Sequence, residues 1–118
     1  MLRSMIVLAA LATTAPLAAQ QAMSGMDHSK MGAAGNPYMP AEMAMHEKMM
    51  AAKGADAGET WTRKMIEHHR GAVEMSRIAL RDSRDAGVRR MAQMAITKQQ
   101  KDINDLNAML RAKGKRAQ

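Results

Sequence analysis

Apolar side chains recur at three- and four-residue intervals in three stretches of this chain, with no strand-like alternation between them. The expected fold class is therefore all-α. The first predicted helix runs from about Ala41 to Lys53, with Pro40 just ahead of it and Gly54 closing it, the usual asymmetry of helix ends. The second runs from about Glu59 to Asp82, with Asp56 as a candidate N-cap. Its expected inward seam is Trp61, Met65, His68, Ala72, Met75 and Ala79, at alternating spacings of four and three. A second row, Ile66, His69, Val73 and Leu80, lies one position along and widens the apolar face. The third helix is expected from about Ala86 to Lys113. Asp82, Ser83 or Asp85 can cap it, and Gly114 ends it. Its stripe is Val88, Ala92, Ala95, Gln99, Ile103, Leu106 and Leu110. Met91, Met94 and Met109 are expected to fill the core, because methionine packs well into irregular gaps. Short connections make the three helices an antiparallel bundle over residues 39–114. Three helices leave one side open, which a second copy can cover as a homodimer.

The 38 residues before the bundle carry no such period. Arg3 followed by "MIVLAALATTA" and Pro16 reads as a secretory signal over residues 1–19, with cleavage near Ala19. The apolar run falls short of the roughly 20 residues that span a bilayer, so no membrane span is expected. Residues 20–38, rich in Gly, Ser, Ala and Gln, are expected to be a flexible tail. The processed protein is placed in the periplasm or secreted.

Charge changes the picture little. The net charge is +7 and the pI about 10.3, but the basic residues are spread along the helices. One Trp, one Tyr and no Phe leave almost nothing on which bases could stack. No nucleic-acid partner is expected. With no Cys, disulfides cannot supplement the small core. That leaves metal binding or oligomerisation for the purpose.

Methionine is the outlier, with 15 residues against no Phe and no Cys. All four histidines lie among methionines. "MSGMDHSKM" holds Met23, Met26, His28 and Met31. "MAMHEKMM" holds Met43, His46, Met49 and Met50, with Met43, His46 and Met50 on one helix face. "MIEHHRGAVEM" holds Met65, His68, His69 and Met75. Thioether and imidazole together suit a soft ion, Cu(I) above all, whereas zinc takes thiolate, imidazole and carboxylate. A thioether needs no deprotonation to bind. An exported protein also avoids oxidation by dispensing with Cys. Packing cannot account for the tail set, which has no core around it, so Met23, Met26, His28 and Met31 form a secondary tail metal site. The pair His68–His69 is equally costly to bury without partners. One ring is expected to face the first helix and the other the third helix or a partner chain.

The stretch from Tyr38 to Leu110, and within it Met65-Ile66-x-His68-His69-x-Gly71-Ala72-x-x-Met75 with Met45-His46-x-x-Met49 upstream, resembles the domain-of-unknown-function family three-zero-five. That family includes the periplasmic copper-binding CopM-like proteins and is grouped with ferritin-like helical bundles, so the resemblance implies a ferritin-like fold. The resemblance implies copper bound by Met and His at these positions, with Cu(I) favoured, Cu(II) or Ag(I) as further candidates, and a role in copper tolerance or trafficking. Glu67 departs from the family pattern, which commonly has Pro there.

The candidate metal set is therefore Met43, His46, Met49, Met50, Met65, His68, His69 and Met75, and a copper-accepting envelope protein is an expected partner. Three rivals stand beside it. A di-iron enzyme needs Glu-x-x-His pairs, and no Glu here precedes a His by three. A haem bundle could use Met and His axially, but only non-covalently without Cys. The last rival is a non-metal interaction module of the envelope. No nucleophile–base arrangement or phosphate loop can be nominated, so no enzyme is expected.

Overall fold

The structure is a computed structural model that describes residues 35–118. The expected signal over residues 1–19 and the expected tail set Met23, Met26, His28 and Met31 lie outside the described residues. Three helices follow one another: α1 (Met39–Ala51), α2 (Ala57–Asp82) and α3 (Ala86–Ala112). Among the described residues there is no strand, and no helix is long and apolar enough to cross a membrane.

Local chemistry sets the boundaries. α1 starts behind Tyr38 with no side-chain cap and carries Pro40 in its first turn, where a missing N–H costs nothing. Asp56 caps α2 by accepting from Glu59 N–H at 2.8 Å, and Asp85 caps α3 by accepting from Val88 N–H at 2.8 Å. Each cap satisfies an otherwise orphaned donor. Gly114 adopts φ 68°, the left-handed conformation that favours glycine, and terminates α3.

The core lies between α2 and α3, where Ile66, Val73, Ile103, Leu106 and Leu110 pack together with Met65 and Ile96 at the margin. Ile66 is 0% exposed. α1 packs on another flank of α2, contributing Ala41 and Ala52 to the buried set. Its closest approach is at Gly71. A Cβ added there would stand 2.7 Å from the Met45 Cβ, so the contact requires glycine. Lys64 reinforces it by donating through Nζ to the Met49 carbonyl.

After Gly114 the chain folds back along α2. Lys115 pairs with Glu59 at 3.2 Å, and the Gln118 N–H donates to Asn107 Oδ1 at 2.7 Å. Gln118 Nε2 reaches Glu67 Oε1 at 2.6 Å, and Arg70 donates to the Gln118 carbonyl at 2.8 Å. Glu67 is thereby tied to Arg70 and the final residue.

Two expectations about packing need correction. The seam Trp61, Met65, His68, Ala72, Met75, Ala79 is turned inward only in part: Ala79 is buried and Met65 packs at the core's margin. Trp61 is 54% exposed and His68 is exposed, while Ile66 and Val73 from the second row form the core. The physical reason is that α2 has two neighbours. Ile66 and Val73 serve α3, Gly71 serves α1, and Trp61 stands at the open edge of the α2–α3 pair, beside Met109. On α3, Met91 and Met94 are 63% and 59% exposed, and Met109 and Val88 are also exposed. A helix packed mainly on one neighbour buries a narrow strip, here Ala92, Ile103, Leu106 and Leu110.

Candidate metal-binding groove

A groove of about 200 Å³ runs along the open side of the α2–α3 pair, lined by Trp61, Met65 and His69 from α2 and by Asp102, Asp105, Leu106 and Met109 from α3. Met65 and His69 are four residues apart and so stand one above the other on the helix surface. Met109 arrives from the opposite wall because α2 and α3 run antiparallel. The groove therefore gathers two thioethers and one imidazole on rigid helices.

His69 carries the chemical signal. Its Nδ1 is buried without a well-formed hydrogen bond, the Met65 backbone being the one hydrogen-bonding group that acts on the ring, and its Nε2 lies 3.7 Å from Asp102 Oδ2, too far for a hydrogen bond. Burial pushes the imidazole below its ordinary pKa, against the pull of the Asp102 carboxylate. Protonation is thus disfavoured, which is the state a metal requires. Asp102 is itself held low by the Lys98 ammonium, at 2.7 Å. A buried polar atom without a partner is costly, and a bound ion would supply the missing one.

The other candidates are placed as follows. Met43, His46 and Met50 share the outer, exposed face of α1, away from the groove. Met49 is half-buried on α1, close to α2 through the Lys64 contact, and Met75 is half-buried on α2. His68 points to solvent, its ring 5.8 Å from that of His69 and nearly edge-on. His69 faces α3 across the groove, and His68 is exposed. The structure joins Met65 and His69 and leaves the α1 row apart. It adds Met109 and Asp102, which sequence reasoning did not nominate. The available signal was positional: folding antiparallel about Ser83–Asp85 brings Met65 and Met109 to the same end.

Among the described residues, no three His, Asp or Glu side chains converge on one point. The candidate donors that line the groove are the Met65 and Met109 thioethers and the His69 imidazole.

A cavity of about 360 Å³ lies on the other side of α2. Lys48, Glu67, Arg70, Glu74 and Arg77 provide its charged lining, together with Met45, Gln100 and Ile103. Its charges are of both signs, and it contains no imidazole.

These features define a small three-helix bundle with Met/His surfaces. The chain belongs to the family described as Domain of unknown function (DUF305), which matches residues 4–110. No curated protein matches the chain.

Proposed function

We propose that this protein is an exported copper-binding protein that sequesters or hands on Cu(I), with Ag(I) as a congener, and that it contributes to copper tolerance in the cell envelope. The carrying observation is the α2–α3 groove, where Met65, Met109 and a half-buried His69 ring, its Nδ1 without a well-formed hydrogen bond, share one space. Thioether and imidazole are the donors a soft monovalent ion prefers.

The exposed row Met43–His46–Met50 on α1 is read as a further, more accessible set of donors, and Met23, Met26, His28 and Met31 as an additional Met/His donor set. Accessible donors capture an ion, and the groove retains it. The reading is of a binding protein, not an enzyme, and like the CopM-like relatives it would act outside the cytoplasm. An acceptor protein and a homodimeric state complete the proposal.

The test is a Cu(I) titration against a competing chelator. Wild-type protein is expected to hold Cu(I) in the groove, and His69→Ala together with Met109→Leu is expected to weaken that site at least tenfold, about 1.4 kcal/mol. Unchanged affinity in the double variant would refute the assignment of the groove.

A further inference from the structure

The outward face of α3 carries a mirrored pattern. Met94, Lys98 and Lys101 precede Asp102, Asp105 and Met109, with spacings of four, three, one, three and four. At 100° per residue these six positions occupy about 100° of the helix circumference. The face is open. The Lys98 and Lys101 side chains are each 73% exposed and that of Asp105 is 60% exposed. Lys98 pairs with Asp102 and Lys101 with Asp105 at i,i+4, pairs that stabilise little, while Asp102, 27% exposed, also stands 3.7 Å from His69 at the groove's edge.

We infer that two copies of this chain pair through this face, with their α3 helices antiparallel and the two-fold axis between Lys101 and Asp102. Reversing the pattern about that point sets each lysine opposite an aspartate, Lys98 against Asp105 and Lys101 against Asp102, and sets Met94 against Met109. Such an isologous contact needs a surface complementary to itself, and this one is complementary in both charge and apolar ends. A parallel pairing would set like charges together. An unrelated acidic or basic partner would match one half of the face and be repelled by the other.

The same contact answers the exposure of the α2 flank. Trp61 lines the groove beside Met109, so Met94 of the partner subunit, seated on Met109, comes to the groove's edge and covers apolar surface that the single chain leaves in water. Resting on the copper reading above, a consequence follows: each groove gains a third thioether, from Met94 of the partner subunit, and the dimer carries two equivalent sites.

Three measurements test this. Sedimentation equilibrium in chelator-treated buffer is expected to give twice the chain mass, and a monomer at all concentrations up to about 100 μM overturns the pairing. Because the chain has no Cys, oxidative cross-linking reads the register directly. A mixture of the Met94→Cys and Met109→Cys proteins is expected to form a covalent dimer, while either alone is not, since identical positions lie about 22 Å apart along the axis at 1.5 Å per residue. Equal cross-linking of either protein alone, or none in the mixture, overturns the register. Lys98→Asp is expected to raise the dimer dissociation constant about tenfold or more, and adding Asp105→Lys to restore it to within about threefold; no rescue overturns the facing charges. A dimer that takes up no Cu(I) supports the pairing and overturns only the proposed function.

Discussion

Gly71→Ala tests the close approach of α1 to α2. Alanine is the better helix former, so on propensity alone the change stabilises an interior helical position by about 1 kcal/mol. The structure predicts the opposite sign. The new Cβ would lie 2.5 Å from the Met45 Cγ and 2.7 Å from the Met45 Cβ, where ordinary carbon contacts sit at roughly 3.5–4.0 Å. Rotating Met45 can move its Cγ but not its Cβ, so α1 has to withdraw by about 1 Å. Overpacking of this kind costs about 1–3 kcal/mol, which leaves a net loss of about 1 kcal/mol after the propensity gain. For a domain of this size that lowers Tm by roughly 4–8 °C, read by circular dichroism at 222 nm. Hydrogen exchange should accelerate over residues 39–51 and stay unchanged in α3. A variant that melts higher than wild type, with α1 protection intact, would refute the packing of α1 on Gly71.

Ile66→Ala removes a side chain with no exposure from the α2–α3 core and is expected to cost about 3 kcal/mol, read from the urea midpoint at unchanged slope. The Glu59 carboxyl is held down at about 2 by the Ala55 N–H and then by Arg63, against an ordinary 4.5. Its contribution is therefore complete above pH 4.5 and is lost as the pH falls toward 2. Glu59→Gln should be less stable at neutral pH, with the gap closing on acidification through that window in a series of urea melts. A chain lacking residues 20–36, and with them Met23, Met26, His28 and Met31, is expected to bind fewer copper ions per chain by intact-complex mass spectrometry while retaining the groove site.

The helices were legible because their ends are chemically marked. Asp56, Asp85 and Gly114 act as the sequence foretold, and the period of three and four located all three elements to within two residues. The rotation of α2 was not legible. Trp61, Met65, His68 and Ala72 satisfy seam spacing as well as Ile66 and Val73 do, and choosing between them requires knowing that Gly71 admits α1. The same ignorance put Met91, Met94 and Met109 in the core, since the number of neighbours a helix has is not written in its own period. For the candidate site, Met65 and His69 were visible as neighbours on one helix. Met109 and Asp102 were not, because they join the groove only through the antiparallel register of α3.

The central claim is that thioether sulfur and the His69 ring hold a soft ion together. X-ray absorption at the copper edge of the Cu(I)-loaded protein addresses it most directly. Both sulfur and nitrogen scatterers are expected around the metal, with sulfur diminished in the Met65→Leu/Met109→Leu protein and nitrogen diminished in His69→Ala. A spectrum of nitrogen and oxygen neighbours alone, indifferent to all three substitutions, would contradict it.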